Sequence, residues 1–339
     1  MQQILVTGGL GYIGSHTVVA LQEKGYDVVI VDNLVNSSLE ILERITKITN
    51  IKPSFEQIDL RDKLSVINLF DKYKAIAGII HFAAFKAVGE SVAKPLDYYE
   101  NNLNTLVYLL QKVVEKNLPF IFSSSCTVYG EAKQMPIFED APVQPAISPY
   151  GNTKQIGEEI VLDVAKSTAI KAILLRYFNP IGAHKSGLIG ELPNGVPQNL
   201  VPFITQTAIG KREKLSVFGN DYPTPDGTCI RDYIHVVDLA EAHVVSLERL
   251  LNNHNLNAVE IFNLGTGKGS SVLEVIQAFE RVTNQKLNYQ IVDRREGDVI
   301  QAYADTTKAR EVLGWQTHLS LDEALKSSWD WEVSFNDKK

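Results

Sequence analysis

Short apolar runs recur along the first half of the chain, each followed by a longer stretch in which apolar residues return every three or four positions. The runs predict strands at Ile4 to Thr7, Asp27 to Val31, Ser54 to Ile58, Ile79 to Phe82, Phe120 to Ser123 and Ala172 to Arg176. Between them the spacing predicts helices at Ile13 to Lys24, Ser38 to Thr49, Leu64 to Lys72, Pro95 to Lys116 and Tyr150 to Lys166. Strands that are apolar throughout need covering on both faces. The alternation therefore predicts an α/β fold, a doubly wound parallel sheet with right-handed crossovers.

The rhythm breaks after about residue 180. The stretch Asn179 to Pro202 carries Pro180, Gly182, Gly187, Gly190, Pro193, Gly195 and Pro197 and reads as a domain boundary and mobile loop. Beyond it the pattern predicts a helix near Leu200 to Ile209, a strand near Leu215 to Phe218 and a helix near Val237 to Leu251. A strand at Val259 to Leu264, a helix near Val272 to Val282 and helices close to Thr307 and Leu321 follow. We therefore expect a Rossmann-type domain over 1–180, with a strand and helix returning to it near 232–264, and a smaller α/β substrate domain over 181–339.

Composition narrows the class. Hydrophobic residues at 45% and charged residues at 22% match a folded globular chain. A net charge of −7 opposes a nucleic-acid backbone, so an anionic ligand must be met by a few local cations. Cys126 and Cys229 are the only cysteines, which excludes a disulfide framework and a CxxC metal clip, and no metal site is expected. No signal peptide and no run of 18 apolar residues is present, so a cytoplasmic location is expected.

Gly8-Gly9-Leu10-Gly11-Tyr12-Ile13-Gly14 follows the first strand and opens the first helix. Positions without side chains let backbone N–H groups approach a pyrophosphate at the positive end of a helix dipole. The second strand ends in Asp32, 18 residues beyond Gly14, where a carboxylate accepts a ribose 2′-hydroxyl and repels a 2′-phosphate. NAD is therefore expected rather than NADP. Gly265-Thr266-Gly267-Lys268-Gly269 lacks this spacing and reads as a turn, and no Walker-type phosphate loop occurs.

Tyr-x-x-x-Lys occurs at Tyr108/Lys112, Tyr129/Lys133 and Tyr150/Lys154. Tyr108 sits inside an apolar helix, and Tyr129 precedes Gly130 in an apparent loop. Tyr150 follows Ser148 and Pro149, an N-cap and first helical residue, so Tyr150 and Lys154 share one helix face. Ser123-Ser124-Ser125 ends the fifth strand, at the edge where open parallel sheets bind ligands. Using a phenol as a base near pH 7 requires lowering its pKa from about 10 to about 7, worth about 4 kcal/mol. A neighbouring ammonium and an oxidised nicotinamide both act in that direction. Cys126, beside the serines, reads as a small buried thiol rather than a nucleophile.

These residues resemble the extended short-chain dehydrogenase/reductase superfamily and, within it, the UDP-glucose 4-epimerase family. The resemblance runs from Val6 to about Trp331. It rests on Thr7 to His16, Asp32-Asn33-Leu34, His81-Phe82-Ala83, Lys86 to Ser91, Ser123 to Gly130 and Ser148 to Lys154. Arg176 to Gly182, Phe218 to Pro223, Arg231 to His235 and Arg294 to Asp298 complete it. It implies catalytic roles for Tyr150, Lys154 and Ser125, with Ser125 and Tyr150 flanking the sugar C4. It implies an NAD site lined, beside Gly8, Gly11 and Gly14, by Tyr12, Ile13, Asp32, Asn33, Leu34, Val35, Asn36, Ser37, Asp59 and Leu60. Phe82, Ala83, Ala84, Phe85, Lys86, Asn101, Ser125, Tyr150, Lys154 and Phe178 extend that site. For a UDP-sugar it implies Lys86, Ser125, Tyr150, Asn179, Asn199, Leu200, Phe218, Arg231, Arg295, Asp298 and Ala302. Guanidinium groups at Arg231 and Arg295 suit a diphosphate in an acidic protein.

The resemblance implies 4-epimerisation of a UDP-hexose by transient oxidation at C4, and a homodimer joined through Pro95 to Lys116 and Tyr150 to Lys166. At Ala302 some relatives carry a bulky Tyr beside the sugar C2 substituent. The small residue here suggests that UDP-N-acetylglucosamine and UDP-N-acetylgalactosamine are also accepted. A 4,6-dehydratase of the same fold needs an acid pair after the serine, whereas Ser125-Cys126-Thr127-Val128 supplies no carboxylate. A UDP-glucuronate decarboxylase or epimerase would need a cation for the C6 carboxylate, an alternative that the sequence leaves open, and a non-catalytic NAD sensor would have no reason to keep Ser125, Tyr150 and Lys154 together.

Overall fold

The computed structural model describes residues 2–295 and 297–336. The first half alternates as expected: β1 (Gln3–Thr7), α1 (Tyr12–Glu23), β2 (Asp27–Asp32), α2 (Glu40–Thr49), β3 (Ser54–Gln57), α3 (Lys63–Lys72) and β4 (Ile76–His81). The short α4 (Val88–Ala93), then α5 (Pro95–Lys116), β5 (Phe120–Ser125), α6 (Pro149–Ser167) and β6 (Ala172–Tyr177) follow. The second half contains β7 (Asn179–Ile181), α7 (Leu200–Ala208), β8 (Leu215–Phe218), β9 (Ile230–His235), α8 (Val236–Leu251) and β10 (Val259–Leu264). It closes with β11 (Gly269–Ser271), α9 (Val272–Thr283), β12 (Tyr289–Val292), β13 (Gln301–Ala302) and α10 (Leu321–Asn336).

Seven parallel strands form the main sheet in the order β10-β6-β5-β4-β1-β2-β3. Side chains alternate across it, and that period builds two cores. Ile4, Val6, Val28, Ile30, Ile80, Ile121, Ile173 and Leu175 face one layer. Leu5, Val29, Val31, Ile79, Phe120, Phe122, Ala172 and Leu174 face the other. Helices α1 and α8 pack together on the first face, and α5 and α6 on the second. Strand order reverses between β1 and β4, and the ends of those strands open the crevice in which ligands bind in such sheets.

The other part has a four-stranded sheet in which β9 pairs with β7, β11 and β13, a two-stranded ribbon of β8 and β12, and α7, α9 and α10 around their own core. Here the loop expected over Asn179 to Pro202 is corrected. Asn179–Ile181 is a strand lying parallel to β9, whereas the helix expected near Leu200 to Ile209 is present over Leu200–Ala208. Proline misled the reading, because Pro180 stands on a strand paired on one side only, where a missing N–H is tolerated. Strand β9 escaped prediction because Arg231, Asp232 and His235 break its apolar pattern, although Asp232 and His235 are buried.

Candidate active site

The glycine loop is held by backbone geometry. Gly8 has φ +67 and donates its N–H to Val31 O at 2.7 Å; the N–H of Gly11 reaches Gly8 O at 3.0 Å. A Cβ on Gly14 would stand 2.2 Å from Gly8 O, so only glycine permits this close approach. Gly11 caps α1 without any side-chain bond, which leaves the first-turn N–H groups free for an anion. The Asp32 carboxylate accepts Leu10 N at 3.2 Å, Leu34 N at 3.0 Å and the Ser37 hydroxyl at 2.7 Å. A carboxylate has about four acceptor positions, which leaves room for a ligand hydroxyl. The loop and the acid thus fit a dinucleotide.

Strand β5 and helix α6 assemble the second cluster. Ser148 caps α6 by accepting Gly151 N at 3.1 Å, with Pro149 at its first position, which places Tyr150 and Lys154 on successive turns. Lys154 is buried and donates Nζ to the Ser123 carbonyl at 2.5 Å. Burial lowers its pKa to about 8, against the field of Glu158, which raises it. Ser125 accepts Thr127 N at 3.2 Å, and its hydroxyl faces Tyr150. In the protein's own field, burial raises Tyr150 to about 12, Ser125 pulling it down and Cys126 pushing it further up; the positive nicotinamide on which the expected lowering depends would act against this rise. The Lys154 ammonium is aimed at the Ser123 carbonyl, so the Ser125 hydroxyl is the group that opposes desolvation of the phenol.

A single cavity of about 1310 Å³ joins the two clusters. Its walls include Gly8, Gly11, Tyr12, Ile13, Gly14, Asp32, Asn33, Asn36, Ser37, Asp59, Leu60, Phe82, Ala83, Ala84, Phe85, Lys86 and Asn101. Tyr150, Lys154, Asn179, Asn199, Leu200, Phe218, Arg231, Arg295, Asp298 and Ala302 continue them. Four residues singled out from the sequence stand behind or beside these walls. Leu34 has φ +64 and shapes the turn at Asp32, and Val35 is exposed with its carbonyl bonded to Asn194. Ser125 is turned toward Thr127, and Phe178 packs with Val128, Tyr129, Ala302 and Ala304.

At the substrate end, Asp298 accepts Arg295 at 2.6 and 3.1 Å and lies 3.8 Å from Arg231. A diphosphate entering here meets two cations already gathered around a carboxylate. The Arg295 guanidinium lies 5.3 Å from the Phe218 ring centre. Sequence reasoning missed Glu191, which receives Lys86 at 3.3 Å and Asn199 at 2.7 Å and joins both halves of the cavity rim. No local pattern marks it, since it stands in irregular chain. The Gly265–Lys268 part of the second glycine segment is a turn whose Thr266 and Gly267 N–H groups bind the buried Asp232 at 2.8 and 3.1 Å, and Gly269 begins β11. Tyr129 lies in a buried 3-10 turn rather than a loop, its hydroxyl donating to Asn263 at 2.6 Å. Cys126 lines the cavity, but burial raises its thiol to about 11 and keeps it protonated.

Four buried histidines make the fold sensitive to acid. Burial lowers His16 and His81 to about 3 and His235 and His243 to about 4. Folded pKa values lie below the unfolded value of about 6.5, so below it the unfolded chain binds protons that the folded chain refuses, and stability falls as pH falls. Each imidazole costs up to about 2 kcal/mol at pH 5. The melting temperature is expected to drop steeply between pH 6.5 and 5 in circular dichroism melts; a flat profile would contradict this burial.

A glycine loop at the switch point of a parallel sheet, with serine, tyrosine and lysine gathered at the same edge, defines an extended short-chain dehydrogenase/reductase. The family described as GDP-mannose 4,6 dehydratase matches residues 5–328. The chain is 52% identical over 334 residues to the UDP-glucose 4-epimerase of Bacillus subtilis (strain 168), covering 98% of this chain and 97% of that one. Its fold superposes with TM-score 0.96 and 44% identity on the UDP-glucose-4-epimerase of Stenotrophomonas maltophila, crystallised with NAD and formylated UDP-arabinopyranose, over 100% of both chains. The Bifidobacterium longum UDP-glucose 4-epimerase, in complex with NAD+ and UDP, gives 0.94 and 45% over 99% of this chain and 100% of that one. The chain belongs to the UDP-glucose 4-epimerase family. Among the described residues no helix is long and apolar enough to cross a membrane.

Proposed function

We propose that this protein interconverts UDP-glucose and UDP-galactose by transient oxidation at the sugar C4, using a dinucleotide that it retains. The carrying observation is the single cavity that brings Tyr150 and Lys154 between the Gly8–Gly14 loop and the Arg231–Arg295 pair. Residues 1–180 with 232–264 hold the NAD in this reading, and 181–339 hold the UDP-sugar.

A secondary alcohol cannot be inverted by proton transfer alone, because its C4 hydrogen is not acidic until the carbon is a ketone. Bound NAD+ supplies a reversible two-electron acceptor and a positive ring whose field favours the phenolate. Tyr150 takes the proton of the sugar 4-hydroxyl and later returns it, and Ser125 shares its path. Lys154, anchored on the Ser123 carbonyl, would hold the nicotinamide ribose of a bound dinucleotide. Arg231 and Arg295 grip the diphosphate while the sugar turns about it, so the opposite face of C4 is presented on return. Residues Cys126, Thr127 and Val128 behind Ser125 offer no acid, which favours this reading over a 4,6-dehydratase.

The test is a coupled UDP-galactose to UDP-glucose assay on protein purified without added cofactor. Conversion is expected, with NAD(H) released in equimolar amount on denaturation. A cofactor-free preparation that turns over unaided would contradict the scheme.

A further inference from the structure

Behind the cavity lies a buried ion pair that the mechanism does not use. Glu158 stands one helical turn after Lys154 on α6, and its carboxylate accepts Nε of Arg176 at 2.9 Å and Nη2 at 2.6 Å. It also bonds the hydroxyl of Ser124. All of these groups are buried, and the rest of the Arg176 head is spent on the Glu139 carbonyl at 3.0 Å and on the Tyr129 ring at 4.8 Å.

Ser124 is the middle residue of the strand end that carries the chemistry. Alternation turns its side chain toward α6, while its neighbours serve the cavity. The carbonyl of Ser123 receives Lys154, the hydroxyl of Ser123 bonds that of Tyr177, and the hydroxyl of Ser125 faces Tyr150. Holding Ser124 from below therefore fixes both neighbours at once.

We propose that Glu158 is a positioning residue: its buried carboxylate steadies the ammonium charge of Lys154 from one turn away and pins the end of β5 on which Ser123 and Ser125 stand. The surrounding groups leave it this role. His81, facing Lys154 from β4, is kept neutral by burial, and burial pushes the phenols of Tyr150 on α6 and Tyr177 on β6 upward. Arg176 on β6 is a cation tied to Glu158 itself. Glu158 is thus the anion acting on Lys154, and its field opposes the desolvation that lowers the lysine. A buried ion pair is weak support for stability, since well-packed apolar residues do as well, so a role beyond stapling is called for.

The inference rests on the epimerase reading for one of its two readouts, turnover, and on cofactor retention for the other. Holoenzyme is exchanged into buffers from pH 7 to 10, and NAD retained on the protein and kcat are followed at each pH. Removing the carboxylate charge disfavours the ammonium, so Glu158→Gln is expected to move the alkaline limb of kcat and the pH of half NAD loss down by about one pH unit. Glu158→Asp, which keeps the charge, should hold both midpoints near those of the unmodified enzyme even where it melts earlier. The double variant Glu158→Gln with Arg176→Met removes the stranded cation and should regain thermal stability without regaining the midpoints.

Unmoved midpoints in Glu158→Gln, or midpoints that recover with stability in the double variant, would overturn the proposal. Loss of folding in all three variants would mark the pair as a staple and overturn it too. Absence of epimerase activity in the unmodified enzyme would reject the functional reading while leaving the NAD-retention comparison decisive for Glu158.

Discussion

Replacing Tyr150 by Phe is expected to lower kcat by about 10²–10⁴-fold, the range that a positioned proton-transfer group contributes. The ring remains, so the wall of the cavity keeps its shape, and NAD content and melting temperature are expected to hold. Loss concentrated in kcat rather than KM would show that the hydroxyl acts in the reaction step and not in holding the sugar. Ser125 already accepts Thr127 N at 3.2 Å, so it does not replace the missing phenol. Full turnover in the variant would remove the foundation of the mechanism.

Replacing Ala302 by Tyr is expected to separate two substrate pairs. Ala302 lies on β13, opposite Arg231 in the parallel register with β9, so it stands next to one of the two cations gathered at Asp298. It is packed with Val128, Tyr129 and Phe178, which leaves a phenol ring no direction but into the cavity. We propose that the space in front of Ala302 admits an N-acetyl group at C2. Filling it costs about 1–3 kcal/mol of fit, or ~10–10²-fold in kcat/KM for the N-acetylated pair, with the glucose and galactose pair little changed. Substrate profiling of both enzymes decides it. An unmodified enzyme whose N-acetyl rate lies several orders of magnitude below its glucose rate would sink the idea.

The elements that surround the cofactor loop were legible because each has a local cause. Strands β1, β2, β4, β5 and β6 are unbroken apolar runs, and α5 begins at Pro95 and ends before Asn117 in a left-handed cap, signals written in a few adjacent residues. The short strands β7, β9 and β13 were not legible for the opposite reason. They exist through pairing with one another, and the residues they carry, Asn179, Arg231 and Ala302, are chosen for the cavity rather than for a strand. Glu191 and Glu158 were hidden likewise, since a lone glutamate in a loop or on a helix reads as solvated until its partners Lys86 and Arg176 appear.

By itself the sequence determined the alternation of strand and helix, the glycine turn with its following acid, and the spacing of Tyr150 and Lys154 on one helix face. All of these depend on neighbours within a turn or a strand length. Tertiary structure alone decided the electrostatics. It set the Tyr150 phenol where desolvation raises its pKa and Ser125 opposes the rise, turned the Lys154 ammonium onto the Ser123 carbonyl, and set Asp298 between Arg231 and Arg295. Desolvation and charge pairing depend on what lies across space, and no local pattern of residues encodes that distance.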